Sequence, residues 1–312
     1  MELRHLRYFV AVAEELNFTR AAERLGIGQP PLSLQIRQLE EELGTQLFRR
    51  KARGVELTPA GKLLLEEARI ILRQVEQAET GVRRRARGET GRVILGSGGA
   101  TYFHPLIPAI IREFSVRYPD VVLHPQASST ALLMARLHAG QIDAAFVRPS
   151  VDDSEGLALH LLVDEPMVMV VPKHHPLGTK SSAPLRSFTN EPFILYAREL
   201  NPDYHDRVIA ACRDAGFEPR LGPQAPQILP VIPMVAAGLG VSIVPESTRQ
   251  IRLDGVVYLE IEGKVPRSRI SLAHRRDDRS APVRNLVAIA RRVAGGRTGA
   301  AGEGWRGDPR AP

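Results

Sequence analysis

The sequence has 312 residues, 43% hydrophobic and 25% charged, the composition of an ordinary folded protein with room for two or three domains. A single cysteine, Cys212, excludes an internal disulfide and a cysteine-ligated metal cluster and suits a reducing compartment. The formal charge of +7 does not by itself argue for nucleic acid: residues 263–312 hold 12 basic and 4 acidic side chains, whereas 1–90 hold 16 and 13 and 91–262 hold 14 and 18.

In chain order, the first apolar run, Tyr8 to Ala13, is too short for a signal-peptide core or a membrane helix. A cytoplasmic location without membrane association is expected. Leu3, Leu6, Tyr8, Phe9, Val12, Ala13 and Leu16 stripe one helix over Leu3–Glu15. Asn17 is a suitable N-cap for a second helix that ends near Leu25. Gly26 and Gly28 flank Ile27 in a break. A third helix starts near Gln29, carries Pro30 and Pro31 in its first turn, where a missing N–H costs little, and stops at Gly44. Ala21, Ala22, Leu25, Ile27, Leu32, Ile36 and Leu39 are expected in a core. The segment "TQLFRRKARGVELTPAG" then reads as a short hairpin with a basic tip, closed by Thr58 as N-cap and Pro59 as first helical residue.

From residue 59 to about 88 no proline interrupts a long helix. Leu64, Ala68, Ile71, Val75, Ala78 and Val82 recur at alternating steps of four and three, which predicts pairing of this helix between chains. The same spacing also suits a helix laid on its own domain. The segment "RRRARGETG" (83–91) marks a linker. Beyond it, strand patterns ("GRVILGSG", "DVVLHPQAS", "IDAAFVRP", "EPMVMVVP", "EPFILY", "GVSIVP", "GVVYLEI", "RISLAHRR") alternate with helical ones, which predicts an α/β domain with parallel or mixed sheet in two lobes. The Gly-, Pro- and Arg-rich stretch 296–312 is expected to be disordered.

A small-residue break between two short helices suits a helix-turn-helix, whose second helix enters the DNA major groove with its N-terminal residues at base edges. Gln29, Ser33, Gln35 and Gln38 offer amides and hydroxyls to base edges, and Pro30 and Pro31 can meet thymine methyls. Arg37 is counted with them. Arg49, Arg50, Lys51 and Arg53 at the hairpin tip can rest on phosphates. The competing reading is a helical dimerisation domain with solvated polar faces.

The stretch "LRYFVAVAEELNFTRAAERLGIGQPPLSLQIRQLEEELGTQLFRR" resembles the N-terminal domain of the LysR-type transcriptional regulators, without a gap from Leu3 to about Gly61. The motifs that carry the resemblance are "FTRAA" (18–22), "QPPLS" (29–33), "LEEELG" (39–44) and "LTPAG" (57–61). The long helix and the α/β half are similar to the family too. The resemblance implies a winged helix-turn-helix over 1–58 with its motif at about 18–37, and a dimerising linker helix over 59–90. It further implies a two-lobed effector domain over 91–295, like the periplasmic binding proteins, with lobe I at about 91–162 and 268–295 and lobe II at about 163–267. It implies promoter DNA, RNA polymerase, a small effector and a second pair of chains as partners, in a dimer of dimers. One departure stands out: the residue after Ser33, commonly Arg or Lys in the family, is Leu34 here, which removes a DNA contact and can instead meet thymine methyls. The "QPPLS" segment and the effector domain most resemble the branch that controls aromatic catabolism, with muconate-like dicarboxylates as inducers.

Two lobes with a cleft make a ligand site, and helix N-termini facing it favour anions. "LGSGGATYFHP", with Gly99, Ala100 and Thr101, and "ASSTALLM", with Ser129 and Thr130, each end a strand and open a helix. Plain capping explains either as well; the resemblance implies effector binding at both. Arg148 ends a buried strand and can pair with a ligand carboxylate or with an internal acid such as Glu165. "NPDY" (201–204), with Pro202 and Tyr204, and Gln227-Ile228 are expected to line the other lobe. "GSGG" lacks the Gly-Lys-Ser/Thr of a phosphate loop, His174 and His175 have no acids at metal-ligand spacing, and no nucleophile has a visible base. No cofactor, metal or catalytic residue is therefore expected. The alternative function is a solute-binding sensor whose helical segment only oligomerises it.

Overall fold

The computed structural model describes residues 1–51, 54–149, 155–225 and 228–298, which form two compact units, 1–84 and 85 onward. In the first, helices α1 (Leu3–Glu15), α2 (Phe18–Leu25) and α3 (Gln29–Leu43) precede a hairpin of β1 (Phe48–Arg50) and β2 (Val55–Leu57), and helix α4 (Pro59–Ala86) follows. Asn17 Oδ1 accepts the N–H groups of Thr19 and Arg20 at 2.9 and 3.1 Å, which starts α2. Gly26 and Gly44 end α2 and α3 in left-handed backbone, at φ 66° and 65°.

The predicted core forms. Leu32, Ile36 and Leu39 of α3 are buried on Leu6, Phe9 and Val12 of α1 and on Ala21 and Ala22 of α2, with Leu25 and Ile27 half-buried beside them. The hairpin joins through Phe48, whose ring lies 5.3 Å from that of Phe9 and meets Phe18 edge-on at 5.9 Å. Hydrogen bonds from its backbone N–H groups hold its two ends. Glu40 Oε1 accepts from Leu47 N and Phe48 N at 2.7 and 3.1 Å, and Leu16 O accepts from Val55 N at 3.0 Å.

Helix α4 departs from the expected seam. Ala68 is fully buried, and Leu64 and Ile71 pack half-buried on this same core. The reason is local: the face built by α1 and the hairpin is apolar and the first turns of α4 cover it. Ala68 is thus a core residue of its own domain. Val75 is half-buried, Ala78 is exposed, and the large apolar side chains that α4 leaves exposed are Leu63, Ile70 and Val82.

The second unit is built on a mixed sheet. Strands β3 (Thr90–Gly98), β4 (Asp120–Ser128) and β5 (Ala144–Val147) are parallel, in the order β4-β3-β5, and helices α5 (Leu106–Arg117) and α6 (Thr130–His138) connect them. The 16-residue strand β6 (Leu157–Pro172) then runs through both lobes. In lobe II follow β7 (Ser182–Pro184), β8 (Pro192–Phe193), α7 (Pro202–Asp214), β9 (Arg220–Leu221), α8 (Ile228–Ala236), β10 (Ser242–Pro245) and β11 (Val256–Glu262). Strand β12 (Arg267–Arg275) returns to lobe I, antiparallel to β5 and to residues 157–166 of β6, and helix α9 (Ala281–Thr298) covers the sheet there. Residues 167–172 of β6 pair instead with β10 and β11, so the lobes meet at 166–167, a few residues beyond the boundary expected from sequence.

The half of β6 before residue 165 escaped the sequence reading because His160 and Asp164 interrupt its apolar run, as suits an edge strand half open to solvent. Helix α9 extends to Thr298, so the expected tail begins inside a helix; 299–312 lie outside the described residues. No helix among the described residues is long and apolar enough to cross a membrane.

Candidate functional site

Two surfaces collect the residues singled out from the sequence. The first is the outer face of α3. Gln29, Pro30, Pro31, Leu34, Arg37 and Gln38 are exposed, Leu34 by 53%. Ser33 and Gln35 are half-buried and already engaged: Ser33 Oγ accepts from Gln29 Nε2 at 2.8 Å, and Gln35 lies 3.1 Å from His5 Nε2. The N-terminus of α3 is uncapped by any side chain, Gly28 being its N-cap; Pro30 and Pro31 carry no N–H there, and Leu32 N–H is held by Gly28 O at 3.3 Å.

The hairpin tip brings Arg49, Arg50 and Lys51 together on the surface; Arg53 lies outside the described residues. Its charge is smaller than the sequence suggests. Glu56 on the facing strand takes Lys51 Nζ at 2.5 Å and Arg49 at 3.8 Å, and these cations hold its carboxyl below the usual range. Arg50 has no such partner among the described residues. An arrangement of exposed helix start and basic wing is what groove entry with phosphate clamps requires.

The second surface is a narrow cleft between the two lobes, with an enclosed volume of about 40 Å³. Lobe I supplies the carboxyl ends of its three parallel strands: Gly98, Gly99 and Ala100 after β3, Ser128, Ser129 and Thr130 after β4, and Arg148 after β5. Ligands of open α/β sheets bind at that end. Ser129 caps α6, its Oγ accepting from Leu132 N at 3.3 Å, so α6 points its amino end at the cleft. Lobe II supplies Tyr196, Asn201, Tyr204, Ile228 and Pro245. The Tyr196 and Tyr204 rings are stacked at 4.3 Å, and Tyr204 donates its hydroxyl to Ile243 O at 2.8 Å. Burial pushes both phenols above their ordinary value.

Several expected residues are placed differently. Thr101 is fully buried beneath the cleft, its hydroxyl 2.6 Å from Ser97 Oγ, and does not line it. Pro202 opens α7 on the exposed side; its neighbour Asn201 lines the cleft instead and caps the helix by accepting Tyr204 N–H at 3.0 Å. Gln227 lies outside the described residues. Tyr196, Gly98, Ser128 and Pro245 were missed; each ends a strand or follows one, and only the fold shows which strand ends converge.

Arg148 pairs with the internal acid. Its Nη2 donates to Glu165 Oε1 at 2.7 Å and its Nη1 to Ser268 Oγ at 2.7 Å, while Ser247 donates its N–H to Glu165 Oε2 at 2.7 Å. Both charges are buried, so each holds the other. Glu165 and Ser268 sit on the two strands that pass between lobes, and Ser247 on lobe II. The Nε–H of Arg148 remains buried without a hydrogen-bond partner among the described residues. Among the described residues no group of three or more His, Cys, Asp or Glu could hold a metal ion.

Residues 3–62 match the model of the bacterial regulatory helix-turn-helix protein, lysR family, and 86–295 that of the LysR substrate binding domain. The chain is 39% identical to the HTH-type transcriptional regulator BudR of Raoultella terrigena, over 93% of this chain and all of that one. It is 37% identical to CatR of Pseudomonas putida, over 93% of this chain and 98% of that one. Among solved structures it is similar to CbnR, a LysR family transcriptional regulator, with TM-score 0.81 and 29% identity over 93% of this chain and 100% of that one. CbnR complexed with its target DNA matches with TM-score 0.76 and 29% identity over 94% of this chain and 100% of that one.

Proposed function

The chain belongs to the LysR family of DNA-binding transcriptional regulators, and from that premise we propose how its residues divide the work. Helix α3 reads the operator through Gln29, Pro30, Pro31, Leu34, Arg37 and Gln38, and the wing clamps phosphates through Arg49, Arg50, Lys51 and Arg53. The cleft takes a small effector bearing a carboxylate, and its closure resets the DNA complex that RNA polymerase meets. Chains pair through α4, using Val75, Ala78 and Val82 beyond the part that covers its own domain, and dimers assemble into a tetramer. The protein works in the cytoplasm and catalyses no reaction.

The effector reading is carried by Arg148, which lines the cleft with the amino end of α6 and whose buried Nε–H has no acceptor among the described residues. Donors without acceptors favour a ligand that brings oxygen lone pairs. The stacked Tyr196–Tyr204 pair gives the opposite wall a flat apolar surface for its carbon frame. Thermal unfolding of the full chain against small mono- and dicarboxylates, muconates and benzoates included, tests this. At a hundred times Kd a selective acid should add about 2.7 kcal/mol of apparent stability. Uncharged amides of the same acids that stabilise equally well would overturn the carboxylate assignment.

Leu34 supplies a test of the DNA face. Leu34→Arg places a cation on the exposed stripe of α3 and should tighten binding to duplex DNA. If it meets a phosphate, the slope of log affinity against log salt should steepen by about 0.9. An unchanged slope and affinity would place Leu34 away from the DNA.

A further inference from the structure

We propose that His5, buried under α3, sets which way the amides of that helix face the groove, so that Gln38 presents an NH2 group and reads a base acceptor while Gln35 positions it. The proposal rests on the reading of α3 as the helix that enters the groove.

The direction of the relay starts at a backbone amide, which can only donate. Glu2 N–H meets His5 Nδ1 at 3.2 Å, so Nδ1 is an acceptor. A neutral imidazole then carries its proton on Nε2. That atom lies 3.1 Å from Gln35 Oε1, which places the Gln35 amide oxygen inward and its NH2 outward. Gln35 Nε2 in turn donates to Gln38 Oε1 at 2.8 Å. His5 is 6% exposed, so the first step of the relay is shielded from water, whereas Gln38 is on the surface.

The outcome at the surface is a polarity. The Gln38 carbonyl accepts from Gln35, which fixes the amide's orientation, and its NH2 has no protein partner among the described residues. Gln38 lies seven residues after Pro31 and four after Leu34, on one exposed helical stripe. An amide that reads adenine uses its oxygen and its NH2 together, on N6–H2 and N7. Here Gln38 Oε1 is turned toward Gln35, so the paired fit to N6–H2 and N7 is lost, and adenine offers the NH2 group one acceptor, N7, beside the N6–H2 donor. Guanine, with acceptors at N7 and O6, or thymine, with O4, accepts an NH2 group without conflict. Gln35 is thereby a positioning residue, held at both ends within the protein.

The test is selection of binding sites by the full-length protein from duplexes randomised through the half-site, with the bound pool sequenced. The wild type should favour guanine or thymine over adenine and cytosine at one position per half-site by about fivefold, the low end for an amide–base contact. Gln38→Ala should erase the preference at that position alone. His5→Phe, which keeps the site filled, should erase it or turn it toward adenine, with the other positions unchanged. Gln35→Ala should act likewise, and it breaks the relay without touching the buried ring. A Gln38→Ala pool identical to wild type would overturn the proposal. So would His5→Phe and Gln35→Ala pools weakened evenly at all positions, the signature of a purely structural role. A wild-type pool without any base preference would remove α3 as the reader, and the relay with it.

Discussion

Arg148→Met is expected to destabilise the second unit by about 3–5 kcal/mol, the cost of leaving a buried charge without its partner. Glu165 would keep the Ser247 N–H at 2.7 Å but lose its cation in a place where only 6% of its side chain is exposed. At roughly 2–4 °C per kcal/mol for a unit of this size, a fall in Tm of about 6–20 °C follows. Thermal unfolding of the full chain measures it. The double variant Arg148→Met/Glu165→Leu should recover most of the loss, because two apolar side chains need no partner. A single variant as stable as wild type would mean that water already solvates the pair. The same experiment bears on regulation. Glu165, Ser268 and Ser247 tie Arg148 to both crossing strands and to lobe II, so this cleft-lining residue is also a link between the lobes.

Gly61→Ala should cost more than tenfold in DNA affinity, though Gly61 faces no DNA. A Cβ there would stand 2.2 Å from Leu47 O and 2.9 Å from Leu57 Cδ2. Leu47 O cannot simply yield, since it accepts Thr58 N–H at 2.9 Å and its own N–H is held by Glu40. The hairpin must therefore move off α4, taking Arg49, Arg50 and Lys51 from their place beside α3. Gly81 provides the control on the same helix, because its Cβ would meet nothing within 4 Å. Gly81→Ala should leave binding unchanged and stabilise by about 0.5–1 kcal/mol through backbone entropy. An electrophoretic shift series of the two variants against wild type decides it; equal affinity for all three would show that the wing does not depend on this approach.

The elements of the first unit could be read almost residue by residue, because their signals are local. Asn17, Gly26, Gly44 and Thr58 each act on the backbone within a few residues of themselves, so their effect is written in the order of the chain. The alternation of strands and helices in the second unit was legible for the same reason. Ala68 shows where this stops. Its heptad spacing is equally good for pairing with another chain and for covering its own domain, and only the fold shows the apolar face of α1 and the hairpin that Ala68 covers. Gln35 is a second case. Its amide reads as a base contact until His5, thirty residues earlier, is seen to hold it.

The cleft depended most on tertiary structure. Helix starts at Ser129 and Asn201 were visible as caps, but nothing in their spacing brings residues 98–100, 128–130, 148, 196, 204, 228 and 245 to one cavity. Strand order does that, by placing the ends of β3, β4 and β5 side by side and letting β6 and β12 carry the second lobe across from them. Arg148 makes the same point in one side chain. Its place at the end of a buried strand was evident from the sequence. That its guanidinium meets Glu165 at 2.7 Å depended on the fold bringing β6 within reach of the end of β5. Local chemistry thus determined the helices, the turn and the domain classes, whereas long-range packing decided which strand ends converge on the cleft and which polar side chains hold one another.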